Sequence, residues 1–214
     1  MKPVTPMMEP LPVTIRPLTP ARWVDLEAIF EARGCSVARG CWCMFYRETG
    51  RSVAPAGMRL ADLRKQRLRA LCDAGPPPGL IAYSKRRPVG WVTLGPRPDF
   101  LRLARSPVMK PVDDAPVWSI VCFVVPTEFR KHGVAAALLR GAVDYAARHG
   151  ARLVEAYPVD TVAHEHDDEM WHGAKSMFDK AGFVEVARRK PRRPVLRLAL
   201  APPPRARHKR KAQR

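Results

Sequence analysis

The chain has 214 residues, enough for one domain with a buried core, and its hydrophobic fraction of 46% excludes a fully disordered protein. Its formal net charge of +18 and its 23 prolines are unusual for a plain soluble enzyme. The excess of positive charge indicates an anionic ligand or partner. No apolar run approaches the roughly 20 residues of a membrane-spanning helix, so we expect a cytoplasmic protein that does not contact membranes.

The N-terminal half predicts a strand, two helices and a hairpin. Residues 13–18 form the strand, and Thr19-Pro20 then caps a helix that ends near Gly34. Residues 58–72 have leucines at helical spacing, and Gly75 with three prolines ends that second helix. The apolar runs 80–85 and 89–94 flank a charged turn at Arg86-Arg87-Pro88, as expected for a hairpin. Residues 96–116 follow as a proline-broken connection.

The C-terminal half begins with the strongest strand pattern, residues 117–125, and the strongest helix pattern, residues 134–149. A strand at 151–157 follows, and the short links make this unit a right-handed crossover between parallel neighbours. A helix over about 169–180 and strands at 183–189 and 195–200, around a turn at 191–194, complete the chain. The predicted order is β-α-α-β-β-β-α-β-α-β-β, a mixed α/β domain over residues 13–200 after a flexible N-terminus of residues 1–12.

The last residues, 201–214, form a basic tail that begins with alanine and three prolines and ends in RARHKRKAQR. A run of this kind is typical of a solvated, disordered appendage, and a contact with the phosphates of a nucleic acid is the alternative. The sequence leaves both interpretations open.

The segment FRKHGVAAALL, residues 129–139, follows the strongest strand and opens the strongest helix. The first turn of a helix offers unpaired N–H groups and the positive end of the helix dipole, which together bind anions. Gly133 keeps the backbone accessible, Ala135 and Ala136 keep the next turn thin, and Arg130 and Lys131 add positive charge. The segment therefore predicts a cradle for phosphates.

This segment resembles the R/Q-x-x-G-x-G/A loop of the GNAT superfamily of acyl-CoA-dependent N-acyltransferases. The matching residues are Arg130, Lys131, His132, Gly133, Val134 and Ala135, with alanine where many members have a second glycine. The predicted element order matches that fold, and AGFVEV, from Ala181, is similar to the start of its sixth strand. The resemblance covers about residues 13–200. It implies that residues 131–136 hold the pyrophosphate of acetyl-CoA, and that the pantetheine arm pairs with the main chain of Phe123, Val124 and Val125.

The resemblance also implies a reaction, the direct attack of a neutral amine on the thioester in a ternary complex. The acceptor would be a primary amine of a small molecule or of a protein. Many members place a tyrosine, as general acid, five residues before the phenylalanine of the G-F pair, but Phe178 stands there and cannot donate a proton. Tyr157 is our preferred substitute and Glu155 a candidate base, while Ser176 or water are further possible donors. A non-catalytic acyl-CoA-binding or nucleic-acid-associated protein is the alternative function.

The segment GCWCMFYR, residues 40–47, lies between the two N-terminal helices, where the resemblance implies the acceptor wall. Its candidate acceptor-site residues are Cys41, Trp42, Cys43 and Tyr46. We expect a packed aromatic loop rather than a zinc or redox site, because no second close cysteine pair accompanies it. Five cysteines in all, an odd number, favour a reducing compartment.

The acidic segment HEHDDE, residues 164–169, carries two histidines and is followed by His172. We expect it to be a solvated loop near the mouth of the active site and not a metal centre, with Trp171 and Gly173 at the start of the next helix. The sequence is compatible with a homodimer but does not determine the oligomeric state.

Overall fold

The computed structural model describes residues 9–50, 52–160 and 171–201. Within these ranges no helix is long and apolar enough to cross a membrane. The basic tail from residue 202, the first residues of the predicted flexible N-terminus and the HEHDDE segment lie outside the described residues. The predicted domain bounds at residues 13 and 200 stay a prediction.

A seven-stranded mixed sheet organises the chain. Its strands are β1 (Thr14–Pro17), β2 (Gly79–Ser84), β3 (Arg87–Pro96), β4 (Trp118–Val124), β5 (Leu153–Ala156), β6 (Val184–Lys190) and β7 (Arg193–Ala199). They lie in the order β1-β2-β3-β4-β5-β7-β6. Strands β4 and β5 pair in parallel and the other described neighbours pair antiparallel. The predicted mixed α/β class and the parallel crossover are confirmed.

Helices cover both faces of this sheet. They are α1 (Trp23–Glu31), α2 (Ser36–Cys41), α3 (Leu60–Ala74), α4 (Leu101–Ala104), α5 (Val134–Arg148) and α6 (Lys175–Asp179). On one face, Leu138 and Ala142 of α5 pack with Val92 and Ile120 in the main hydrophobic core. On the other face, α1, α2 and α3 enclose a second core around Trp91. Side chains of a strand alternate between faces, so each central strand contributes to both cores.

Several predicted bounds differ from the structure. Helix α2 lies inside the predicted link between the first two helices, and α4 lies inside the predicted connection 96–116. Helices of six and four residues are too short to show a helical repeat in a sequence. The last helix, α6, begins only at Lys175, so Trp171 and Gly173 precede it and do not start it. Arg87 and Pro88 belong to β3 and not to the hairpin turn.

Strand β4 is irregular where it leaves β5. Its pairing with β3 skips Val121, since Thr93 faces Cys122 and Leu94 faces Ile120, which makes Val121 the extra residue of a β-bulge. On its other side, the ladder with β5 ends at the pair Ile120–Ala156. The end of β4 therefore continues without β5 beside it, and a gap opens between the two strands.

Candidate active site

A cavity of about 770 Å³ opens at this gap. Its first wall is the end of β4 and the loop into α5: Cys122, Phe123, Val124, Val125, Phe129, Arg130, Lys131, Gly133, Val134, Ala135 and Ala136. Opposite lie Trp171, Gly173, Ala174 and Met177, on and before α6. The third wall, from the α1–α2 region and its neighbours, contains Gly34, Cys35, Val37, Ala38, Cys41, Cys43, Phe45, Tyr46, Arg64 and Thr93.

The start of α5 has the geometry of an anion cradle. Gly133 precedes the helix with a φ of 77°, in the left-handed region that favours glycine. A Cβ atom on Gly133 would meet only the Cβ of Pro10, at 3.7 Å, an ordinary van der Waals contact, so no neighbour crowds this backbone. The amides of Val134, Ala135 and Ala136 belong to the first helical turn, where N–H groups lack a partner within the helix. This turn can bind a phosphate through its main chain.

Arg130 and His132 have other contacts than those of a phosphate ligand. The Arg130 guanidinium donates to the carbonyl oxygens of Val125 and Gly34, at 3.1 and 2.9 Å, which fixes the loop against the α1–α2 connection. His132 lies outside the cavity wall, because its main-chain oxygen accepts from the amide of Leu11 at 3.1 Å and its Nδ1 lies 3.2 Å from the carbonyl oxygen of Glu9. Lys131, which is exposed, is thus the better-placed cation of the loop.

A tyrosine and a histidine meet at the boundary of the second and third walls. The Tyr46 hydroxyl lies 3.0 Å from Nε2 of His172. Burial raises the pKa of Tyr46 to about 12. Burial, and then the positive charge of Arg193, lower the pKa of His172 to about 3. At neutral pH the phenol therefore keeps its proton and the imidazole is neutral. The expectation that His172 belongs to a solvated loop is wrong, since it is 4% exposed; His164 and His166 lie outside the described residues.

Four cysteines line the cavity: Cys35, Cys41, Cys43 and Cys122. The indole Nε1 of Trp91 donates to Sγ of Cys43 at 3.3 Å. The neighbouring Cys122 side chain, and then the Trp91 indole, hold the pKa of Cys43 below its usual range against the effect of burial. Burial, together with the nearby Cys43, raises the pKa of Cys41 to about 11. All five cysteines of the chain are free thiols, and the described residues contain no group of side chains suited to bind a metal ion.

Trp42 does not line the cavity, unlike the other three predicted acceptor-site residues, Cys41, Cys43 and Tyr46. Its indole stacks on Phe30 with ring centroids 4.8 Å apart and is covered by Lys65, whose Nζ lies 5.0 Å from the ring. The backbone of Trp42 and Cys43 is left-handed, with φ of 47° and 51°. Both residues belong to the second core, and only the cysteine also lines the cavity. Trp42 therefore supports the wall from behind.

Glu155 and Tyr157 contact each other, but neither lies on the cavity wall. The Tyr157 hydroxyl donates to Glu155 at 2.7 Å, and Nε of Arg197 donates to the other carboxylate oxygen at 2.8 Å. Arg97 also pairs with Glu155, and Arg197 binds Asp113. Glu155 is 0% exposed. The network connects β5 and β7 to residues 97–113. Its geometry is that of a structural network, which holds these segments together. The catalytic roles predicted for Glu155 and Tyr157 stay predictions.

Comparison with known protein families identifies the family of this chain. The model of the Acetyltransferase (GNAT) family matches residues 41–183, which contain β4, the gap, the anion cradle and most of the acceptor wall. The chain belongs to the GNAT family. It is therefore an acyltransferase, and members of this family use acetyl-CoA.

Solved GNAT structures share the fold. Mosquito arylalkylamine N-acetyltransferase like 5b aligns with 88% of this chain and 100% of its own, at 10% identity and a TM-score of 0.53. Drosophila melanogaster polyamine N-acetyltransferase, which forms N-acetylagmatine, aligns over the same shares at 11% identity and a TM-score of 0.51. At these identities the similarity establishes the fold alone. No curated protein sequence matches the chain significantly.

The described walls of this GNAT protein fit an acyl-CoA. A left-handed glycine that no neighbour crowds precedes the first turn of α5, Lys131 supplies a positive charge, and β4 has a main-chain edge facing the gap. The position of the frequent family tyrosine is Phe178, which is fully buried against Phe123 and Phe183, with ring centroids 6.1 and 5.3 Å away. No proton donor can act from that position.

Sequence reasoning missed several residues of the site. His172 was considered only with the acidic segment, because its partner Tyr46 lies 126 positions away in the chain. Cys122 lies one residue before the predicted stretch 123–125 and was predicted only as part of the strand 117–125. Arg64 and Thr93 face the cavity from a helix and a strand whose sequence patterns give no hint of a site.

Proposed function

We propose that this protein transfers an acetyl group from acetyl-CoA to a primary amine by direct attack within a ternary complex. The observation that carries the proposal is the continuous cavity, which runs from the anion cradle at Gly133, along β4, to the acceptor wall at Tyr46. One cavity thus has room for a phosphate-bearing co-substrate at one end and an amine at the other.

In this proposal the main chain does the binding. Amides of the first turn of α5, with Lys131 beside them, hold the pyrophosphate. Phe123, Val124 and Val125 offer peptide groups to the pantetheine arm, as an added strand would. The bulge at Val121 redirects the amides that follow it, and a β4 amide in the gap stabilises the charge that develops on the carbonyl oxygen.

Tyr46 is our candidate for proton handling, in place of the tyrosine that Phe178 replaces. Acetyl-CoA supplies a thioester, so the amine must lose a proton and the departing sulfur must gain one. A hydroxyl with a pKa of about 12 is a poor acid by itself. It can still accept the proton of the amine while it passes its own proton to the sulfur, and it then never becomes a phenolate. His172, neutral and 3.0 Å away, holds the hydroxyl in position.

The described acceptor wall suits an amine with an apolar body. Val37 and Phe45 stand at the mouth with 53% and 41% of their surfaces exposed. Arg64 is the cation on this wall, and its guanidinium contacts Glu48 and the carbonyl oxygen of Gly40. Among the described residues that line the cavity, none is a carboxylate that would bind a second ammonium group.

The test is a thiol-release assay with acetyl-CoA and a panel of amines: an arylalkylamine, agmatine, a polyamine, and peptides with a free N-terminus or a lysine. Binding of acetyl-CoA is measured separately by calorimetry. We expect acetyl-CoA to bind with a Kd in the micromolar range or tighter. We also expect turnover with at least one amine, and faster turnover with an apolar amine than with a polyamine. Binding without turnover on any of these amines would contradict the proposed reaction and support an acyl-CoA-binding role.

A nucleic-acid contact through residues 205–214 remains a separate proposal that rests on the charge of the sequence alone. Deletion of those residues should abolish any steeply salt-dependent binding of RNA, because each phosphate contact releases counterions. Unchanged RNA binding would rule this role out. The suggested homodimer also stays a prediction, and sedimentation of the full chain tests it.

A further inference from the structure

Among the thiols that line the cavity, that of Cys43 accepts a hydrogen bond from the Trp91 indole, at 3.3 Å. Cys122 lines the cavity as well. Arg47 adds a favourable positive charge near Cys43. Each of these contacts is stronger when the sulfur is a thiolate, because an anion accepts hydrogen bonds more strongly than a neutral thiol.

The position of Cys43 along the cavity matters as much as its contacts. Its neighbour Cys122 directly follows the bulged Val121, at the point where β4 has just left β5. In the proposed function the acyl group lies at this point, beside the free edge of β4. Cys43 lines the same cavity with Cys41 and Tyr46, on the acceptor side of the acyl group, where the attacking amine must also enter.

We propose that Cys43 is itself an acyl acceptor, S-acylated by thioester exchange with an acyl-CoA bound in the cavity. The proposal rests on the proposed function, since that function supplies the thioester. The Cys43 thiolate forms a new bond to the carbonyl carbon, and the bond from that carbon to the CoA sulfur breaks. The CoA thiolate leaves and takes up the proton that Cys43 lost. No oxidant or reductant takes part.

Two consequences follow from the chemistry. Exchange of one thioester for another changes no bond type, so an excess of free CoA should reverse it. An acyl group on Cys43 also fills the space in front of Tyr46 and Cys41, so the modified enzyme should turn over amines more slowly. Cys43 would then make amine acetylation depend on the ratio of acyl-CoA to CoA.

The first experiment uses the full-length wild-type protein, without any amine. After incubation with acetyl-CoA, intact mass spectrometry and peptide mapping should find one acetyl group per chain, on Cys43. Neutral hydroxylamine or excess CoA should remove it. An acetyl group that resists hydroxylamine lies on an amine and contradicts the inference, as does an unmodified chain under conditions where calorimetry shows bound acetyl-CoA. Absence of acetyl-CoA binding would instead contradict the proposed function itself.

Variants then locate the acceptor. Cys43→Ala should abolish the thioester, and Cys72→Ser is the matched control, because Cys72 is a buried thiol of the same core outside the cavity wall. Trp91→Phe should slow acylation several-fold by removing the indole donor to Cys43. Thioester formation that persists in a folded Cys43→Ala protein would overturn the inference. If that variant fails to fold, alkylation of the wild type decides, since Cys43 should react before Cys41 and be protected by CoA.

Discussion

The Tyr46 hydroxyl and Nε2 of His172 lie 3.0 Å apart although 126 positions separate the two residues in the chain. The contact joins the wall built by the link after α2 to the segment before α6. It places the phenol group on the cavity with its hydroxyl oriented by a buried, neutral imidazole. Tyr46, held by this histidine, is the strongest candidate for proton transfer among the described residues that line the cavity.

Replacement of Tyr46 by phenylalanine should therefore lower kcat by roughly 10²-fold or more, the usual contribution of a positioned proton-transfer group. KM for acetyl-CoA should change little, because Tyr46 lies away from the anion cradle. Steady-state kinetics by thiol release measures both constants. Tyr83→Phe is the matched control, since the Tyr83 hydroxyl donates to Asp25 at 2.6 Å and Tyr83 is not on the cavity wall. A wild-type kcat in Tyr46→Phe would eliminate the proton-relay role.

His172 should make the fold sensitive to acid. Its pKa is about 3 in the folded protein because of burial and Arg193, whereas an unfolded histidine titrates near the ordinary value of about 6.5. The unfolded state thus binds the proton more readily than the folded state. The contribution of the neutral histidine to stability is fully present above pH 6.5 and is lost as the pH falls toward 3. Each pH unit in that window costs the fold about 1.4 kcal/mol.

Urea unfolding at pH 7.5 and at pH 5.0 measures this effect. Because of this group, the free energy of unfolding should be about 2 kcal/mol lower at pH 5.0. His172→Gln should remove most of the pH difference, at the cost of lower stability at pH 7.5. His149→Gln serves as control, because His149 is exposed at the end of α5. An identical pH difference in the wild type and His172→Gln would show that other groups cause the acid sensitivity.

The anion cradle can be tested with two glycines of the same backbone geometry. Gly133 and Gly150 have φ of 77° and 81°, so alanine at either position should cost about 1 kcal/mol of stability through left-handed strain. Of the two, only Gly133 lines the cavity, directly before the first turn of α5, so only there does a change of backbone geometry move the amides of the cradle. Gly133→Ala should weaken CoA binding about tenfold or more, about 1.4 kcal/mol, while Gly150→Ala leaves it unchanged. Equal Kd values in calorimetry would contradict the cradle.

Local patterns explain which parts of this molecule were predictable. The β4–α5 unit is predictable because its pattern lies in one continuous segment, which has a run of β-branched residues, a glycine and a helical repeat. Its parallel crossover to β5 was predicted correctly. Of the residues predicted to bind the cofactor, 123–125 and 130–136, all except His132 line the cavity. His132 was wrongly included because its partners, Glu9 and Leu11, lie far away in the sequence.

Long-range pairing explains what was not predictable. Glu155 and Tyr157 were expected on one strand face, and they do contact each other. Nothing in the sequence around them showed that the guanidinium groups of Arg97 and Arg197 would pair with Glu155 on that face. In the same way, no local pattern connects Tyr46 with His172. Which polar residues face solvent, substrate or a buried counter-ion is decided by elements distant in the chain.

The buried network around Glu155 gives a last prediction, which separates stability from catalysis. Glu155→Gln should lower the free energy of unfolding by about 3 kcal/mol, because two buried guanidinium groups lose their shared anion. Tyr157→Phe should cost about 1 kcal/mol, the loss of its hydroxyl contacts with Glu155 and Ser119. Thiol release by the folded Tyr157→Phe protein should keep the wild-type pH profile, since the hydroxyl lies off the cavity wall. A large, pH-dependent fall in kcat at unchanged stability would instead make Tyr157 the proton donor, as the sequence first suggested, and would move that role away from Tyr46.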